Sequence, residues 1–469
     1  MRSLLLCLPA LVTFSIAGEA AVRSGPPNVV LVLIDDMGWA DLGCYGSRFH
    51  ETPNIDRLAS EGVRFTDFYA AGAVCSPTRA SIQSGQYQAR LQITDFIPGH
   101  AFPYEKLTVP PVRGELPLDI VTPAETLHEA GYVSGYFGKW HLGDDGYLPS
   151  DQGYDVSVVT GGRHFSPGFR TTPKMKVPDD TYLGDFLTDQ TLAFIKEHRD
   201  QPFFVQLSHF AVHIPLEART DLIEKYHQKP KPETGINNPI YAAMVEHVDD
   251  SVGRIMTALD YLDLAGNTLL IVTSDNGGLR QSAGGKGPIV CSNAPLRDEK
   301  GSLYEGGIRV PLIIRWPGVA VAGETCDEPT ISTDFWATLA DVAGVSPPEG
   351  QPLDGLSLRP LLETPDAQLD RAALYWHYPH YHHSRPAGAI RARDWKLIEF
   401  FDDTPAELYH LSADLSEEHD LAAEHPDRVQ NLRQRLAAWR KQVGAVMPTP
   451  NADYDPNRIG EKGRRQREE

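Results

Sequence analysis

The sequence predicts an α/β fold: a large, mixed, mostly parallel sheet with helices on both faces, then a smaller C-terminal α+β unit with an antiparallel sheet. Three observations carry this. Short, wholly apolar runs rich in β-branched residues recur along the chain, as strands covered on both faces require. Segments with helical spacing alternate with them from Asn28 to Ala343, the pattern of strand–helix–strand units. The alternation stops at Pro347–Pro352, a Pro- and Gly-containing linker.

The elements follow in order. Asn28–Ile34 (NVVLVLI) is a buried strand ending in Asp35-Asp36. Thr52-Pro53 opens a helix with Ile55, Leu58 and Ala59 on one face, and Gly62 ends it. Pro123 opens the next helix, Gly131 closes it, and Tyr132–Phe137 is a strand. Leu183–His198 is helical, Phe203–Leu207 a strand and Tyr241–Leu262 a long helix. Thr268–Thr273 (TLLIVT) and Ile308–Trp316 are strands, and Ser332–Ala343 is a helix. Beyond the linker come a strand at Leu374–Tyr378, a hairpin around Ala389–Phe401 and a helix over Pro426–Val443.

These boundaries give a catalytic domain over 25–355, a C-terminal subdomain over 356–447 and a polar tail over 448–469, ending near Arg464-Arg465, that is expected to be disordered. Residues 1–20 read as a signal peptide: Arg2, an apolar run from Leu4 to Ile16, then Ala17 or Ala20 before a cut. The run is short for a membrane span, and no later stretch is long and apolar enough for one. An exported protein, secreted or periplasmic, is therefore expected. Cys7 lies too early for a lipoprotein box, and the remaining Cys44, Cys75, Cys291 and Cys326 are too few for a disulfide scaffold. The formal net charge of −20 argues against nucleic acid and anionic membranes as partners. An anionic substrate would need a locally positive pocket.

Adjacent carboxylates end the first apolar run, and Asp275-Asn276 follows that of Thr268–Thr273. Ligands in open α/β sheets gather at the carboxyl ends of strands, so the two pairs can converge on one edge. Their oxygens suit calcium or magnesium better than zinc. Taken singly, Asp35-Asp36 reads as a turn or cap and Asp275-Asn276-Gly277 as a tight turn. Likewise, a lone Cys75 is a buried thiol, and a lone Lys139 or Lys300 is a surface lysine.

Together they read differently. Cys75-Ser76-Pro77-Thr78-Arg79 contains Cys-x-Pro-x-Arg, and Gly138-Lys139-Trp140-His141-Leu142-Gly143 follows it. With Asp35-Asp36, His213 in Val212–Pro215, Ser274-Asp275-Asn276-Gly277 and Lys300 in the run to Pro311, the chain resembles the formylglycine-dependent sulfatases of the alkaline-phosphatase-like superfamily, motif by motif and in order. The resemblance implies that Cys75 is oxidised to formylglycine by a maturation enzyme. It implies one calcium ion held by Asp35, Asp36, Asp275, Asn276 and residue 75. It further implies that a hydrated residue 75 attacks sulfur, that His213 protonates the departing alcohol, and that His141 takes the proton whose loss expels sulfate. Arg79 supports residue 75, and Lys139 and Lys300 contact the sulfate.

For the substrate, a sulfated carbohydrate is the preferred class. Arg163-His164 and Arg170, in a Gly-flanked loop, and the run Trp376–His383 offer cationic, aromatic and histidine side chains to a sugar. Alternatives are a phosphodiester or phosphonate monoester hydrolase of the same superfamily, or a non-catalytic glycan-binding relative. The complete lysine and histidine set favours sulfate.

Overall fold

The computed structural model describes residues 25–233, 236–281 and 289–463. The signal peptide expected over 1–20 and the Arg464-Arg465 end of the tail lie outside them. Nine strands form the large sheet: β1 (Asn28–Ile34), β2 (Val63–Phe65), β3 (Val133–Gly138), β4 (Val156–Gly162), β5 (Phe169–Thr172), β6 (Phe203–Ser208), β7 (Thr268–Ser274), β8 (Leu312–Arg315) and β9 (Glu324–Cys326). Their spatial order is β9-β2-β8-β7-β1-β6-β3-β4-β5. The central run from β7 to β4 is parallel. Towards the edges, β8 runs antiparallel to both its neighbours, and β5 antiparallel to β4.

Side chains alternate across a strand, so the seven residues of β1 feed two cores. Val30, Val32 and Ile34 pack with the helices Leu183–Glu197 and Pro239–Tyr261. Val29, Leu31 and Leu33 pack with Pro123–Glu129 and Asp334–Ala343. All seven residues of β1 and of β7 are buried, which is why both strands read as unbroken apolar runs.

The register aligns the strand ends. Ile34 lies beside Ser274, Leu33 beside Ser208, and Ser208 beside Gly138. The residues that follow, Asp35, Asp275 and Lys139, are thereby delivered to one edge of the sheet.

The C-terminal unit is a four-stranded antiparallel sheet of Leu374–Tyr378, Ala387–Ala392, Trp395–Phe400 and Glu407–His410. The helix Pro426–Val443 packs on it through Leu432, Leu436 and Trp439. The same core takes in Tyr69, Ala71, Ala73 and Val74, the segment that leads into Cys75.

Two expectations are corrected. Ile308–Trp316 is not one strand: Glu305–Ile308 is a helical turn, and the strand is Leu312–Arg315. Pro311 has no N–H for the ladder, so the strand starts after it. The tail from 448 is not disordered over its described part. Thr449–Pro450 pairs antiparallel with Leu107–Thr108, Asn451 Nδ2 donates to the carbonyls of Pro103 (2.9 Å) and Glu105 (2.7 Å), and Arg458 stacks over Tyr104. Its polar groups are spent on the extended loop around 101–108, a partner that composition does not reveal. Cys44, Cys75, Cys291 and Cys326 are all free thiols. Among the described residues no helix is long and apolar enough to cross a membrane.

Candidate active site

Every site residue predicted from sequence arrives at the same sheet edge. Asp35 and Asp36 follow β1, and Asp275 and Asn276 follow β7; all four are buried. Asp36 N donates to Asp275 Oδ1 (3.2 Å) and Asn276 Nδ2 to Asp36 Oδ1 (2.8 Å), tying the two strand ends together. Cys75 is the first residue of the helix Cys75–Ser84. Its Sγ lies 3.3 Å from Asp35 Oδ1, 4.0 Å from Asp36 Oδ1 and 3.3 Å from Lys300 Nζ.

The cations interlock with the carboxylates. Lys139 Nζ donates to Asp35 Oδ2 at 2.6 Å, and Lys300 Nζ to Asp36 Oδ1 at 2.5 Å. Arg79, one helical turn beyond Cys75, donates through Nε to Asp275 Oδ2 (2.9 Å) and through a terminal nitrogen to the Lys139 carbonyl (2.7 Å). Gly138 has φ +123°, and a Cβ there would collide with the Ser208 carbonyl. That approach lets Lys139 N bond Ser208 O at 2.9 Å as the chain turns off β3.

The charges set the proton affinities. Burial pushes Asp35 up, but Lys139, His213, Arg79 and Lys300 outweigh it and hold its carboxyl well below the usual range. Burial likewise opposes Lys300 and His213 at Asp36, which ends lowered. Burial and the charge of Asp35 push Asp275 up to about 6. Burial, then Asp35, pushes the Cys75 thiol up to about 12.

The two histidines are each fixed by one ring nitrogen. His141 Nε2 is 2.6 Å from the Ile97 carbonyl, leaving Nδ1 buried without a partner. His213 Nδ1 is 2.6 Å from the Ile214 carbonyl, and its Nε2 is 3.6 Å from Asp36 Oδ2. Burial lowers His141 to about 3 and His213 to about 4, so both rings are neutral near pH 7.

The donor set fits a hard cation. Asp35, Asp36, Cys75 and His213 each bring a ligand atom within 4.8 Å of the others. Asp36 Oδ2 and Asn276 Oδ1 are buried oxygens with no hydrogen-bond partner. Such oxygens are costly unless something positive meets them.

The sulfatase family model matches residues 27–345, which contain every one of the predicted site residues. The chain belongs to the sulfatase family. An N-sulphoglucosamine sulphohydrolase C-terminal model matches residues 298–442. A sulfatase of Formosa agariphila is 33% identical over 497 residues, spanning 88% of each chain. Human N-acetylgalactosamine-6-sulfatase is 35% identical, spanning 75% of this chain and 68% of that protein. The solved structure of Ps i-CgsB in complex with k-i-k-neocarrahexaose matches with a TM-score of 0.77 at 27% identity, over 92% of this chain and 95% of that one. This sulfatase is thus a sulfuric ester hydrolase with an alkaline-phosphatase-like fold.

Two residues around the sulfatase site went unread in the sequence. The Ile97 carbonyl that holds His141 is one. Phe210 is another: it lies 5.7 Å from Lys139 Nζ and 5.1 Å from the His213 ring. Its place just past the end of β6, beside His209, was the available clue.

The segments expected to meet a sugar divide. His164 is buried, with Nε2 2.8 Å from the His213 carbonyl, and so supports the site from behind. Arg163 pairs with Glu217 on the surface (2.7 Å). In the run Trp376–His383, His377 bonds the Val446 carbonyl and His380 bonds Thr94. His383 Nδ1 is 3.0 Å from the Lys300 carbonyl. Gly301 has φ +84°, and a Cβ there would collide with the His382 ring. His382 and His383 therefore grip the backbone that carries Lys300. His383→Ala is expected to lower kcat on a small aryl sulfate by roughly tenfold, since small misplacements of a catalytic group are expensive. Steady-state kinetics on both an aryl sulfate and a glycan sulfate check this. An effect confined to KM on the glycan would return these residues to a sugar-contacting role.

Proposed function

We propose that this sulfatase hydrolyses sulfate monoesters of carbohydrates through residue 75, converted from cysteine to formylglycine, beside a calcium ion held by Asp35, Asp36, Asp275 and Asn276. One observation carries the reading: the Cys75 side chain lies within 3.3 Å of both Asp35 and Lys300, next to buried carboxylate and amide oxygens that have no partner. A thiol raised to about 12 is almost wholly protonated at neutral pH and makes a poor nucleophile. When present, formylglycine supplies a geminal diol as nucleophile, and calcium supplies positive charge that lowers its pKa.

The chain's own residues do the rest. Lys139 and Lys300 bind the non-bridging sulfate oxygens, and the N-terminus of the Cys75–Ser84 helix favours the same negative charge. Arg79 keeps the Asp275 carboxylate and the Lys139 backbone in place. His213 hands a proton to the departing oxygen from Nε2, its ring orientation set by the Ile214 carbonyl. The neutral ring carries its proton on Nδ1, so Nε2 first takes one up, which the anionic ester arriving beside the ring favours. His141 accepts a proton at Nδ1, the nitrogen left free by its bond to Ile97.

The carbohydrate reading rests on the cleft above the site and on relatives named for sugars. The cleft, of about 2140 Å³, is lined by Lys139, His141 and Phe210 at its base and by aromatic, histidine and cationic residues further out. That is far larger than an aryl sulfate needs. Export, by the signal peptide expected over 1–20, suits such a substrate, and a formylglycine-generating enzyme of the producing cell would install residue 75.

Chelation tests the metal. Dialysis against EDTA is expected to lower activity at least about tenfold, with recovery on adding calcium and not zinc. Full activity in protein shown to be metal-free would contradict the assignment. A matched aryl sulfate and aryl phosphate diester separate sulfatase from phosphodiesterase action.

A further inference from the structure

Building on the sulfatase reading above, we infer that Arg170, Lys174 and Lys176 form a second anion subsite, so that the preferred substrate is an oligosaccharide carrying another sulfate or carboxylate besides the scissile ester. The chain as a whole bears a formal charge of −20 and repels such a ligand at long range. Near Cys75, Lys139 is paired with Asp35 and Lys300 with Asp36. Unpaired cationic side chains of the cleft come from another segment. Arg170 lies on β5, the edge strand, and Lys174 and Lys176 lie on the irregular segment that follows it. All three are exposed and line the same cleft as Lys139 and His141. Among the described residues none of them has a carboxylate within salt-bridge distance, whereas neighbouring Arg163 and Arg219 are paired with Glu217 and Asp221.

The strand beside them leaves room. Arg170 is registered against Gly161 of β4. Gly161 also lines the cleft, and a Cβ built there would meet nothing within 4 Å. A sugar ring can lie over that glycine with its anionic substituent toward the Arg170 guanidinium. The carboxylates of the cleft, Glu115, Asp144, Asp145 and Asp453, come from other segments. Charge-assisted hydrogen bonds from arginine and lysine are strong enough to discriminate.

The test uses the matured enzyme with 4-nitrophenyl sulfate as reporter. Three disaccharides of one backbone serve as inhibitors: one with a single sulfate, one with two sulfates, and one with a sulfate and a carboxylate. At least one dianion is expected to inhibit at roughly tenfold lower concentration than the monosulfate, and to lose that advantage at high salt. Which dianion does so identifies the second group. The triple substitution Arg170→Ala, Lys174→Ala, Lys176→Ala should erase the gap and leave kcat/KM on 4-nitrophenyl sulfate within about twofold. No gap in the parent enzyme, or a gap that survives the triple substitution, overturns the inference. Absence of 4-nitrophenyl sulfate turnover in the parent counts against the sulfatase mechanism instead, and titration calorimetry with the same disaccharides then reads the gap without turnover.

Discussion

Cys75→Ala is expected to lower sulfate-ester turnover by roughly 10⁴-fold or more while leaving the thermal transition close to that of the parent. The size of the effect follows from removing the group proposed to attack sulfur, for which no neighbour can substitute. The small structural effect follows from geometry. The Cys75 side chain contacts Asp35, Asp36 and Lys300, and those three remain tied to Lys139, Asn276 and each other's partners without it. The cores on the two sheet faces do not include Cys75. Kinetics on an aryl sulfate, with circular dichroism melting of the same sample, check both halves. Retained turnover would mean that another residue is the nucleophile.

Lys396→Met carries the largest expected stability effect, about 3–5 kcal/mol. Lys396 is completely buried and donates to Glu305 at 2.7 Å, with Glu417 at 2.9 Å. Removing it leaves two carboxylates buried together. Burial already pushes Glu417 up to about 7, whereas Lys396, Arg309 and Arg391 overcome burial at Glu305 and hold it at about 2. The cluster joins the C-terminal sheet to the loop that carries Lys300, because Glu305 also accepts from Tyr69 (2.6 Å) and Arg309 (3.2 Å). A fall in melting temperature of several degrees or more is the expected reading. Adding Glu417→Gln to Lys396→Met should restore part of the loss, since a neutral amide at 417 need not take up a proton to stay buried beside Glu305. An unchanged melting temperature in the single variant would refute the buried pairing.

What could be read from sequence divides along physical lines. β1 and β7 were legible because both faces are covered and the apolar run is continuous. β4 and β5 were not, because both alternate exposure near the edge of the sheet and β4 ends in two glycines. Ile308–Trp316 misled because Ile308 and Val310, ahead of Pro311, are buried and apolar like the strand that follows it. Within the site, the residues proposed to face the metal and the sulfate sit in compact local patterns at strand ends, so their convergence could be foreseen. The grip of His382 and His383 on Lys300, the hold of Ile97 on His141, and the tail strapped along residues 101–108 join segments far apart in the chain. Local patterning does not encode such pairings. The histidine-rich run shows the consequence: its composition suggested sugar contacts, while its geometry places His377, His380 and His383 on backbone carbonyls and a threonine hydroxyl.

The chemical state of residue 75 decides the account. Mass spectrometry of the peptide spanning Ala73–Arg79, from enzyme purified out of a host able to oxidise the cysteine, should show the aldehyde or its hydrate, in a fraction that rises and falls with specific activity. Fully active enzyme in which Cys75 is still a thiol would contradict it.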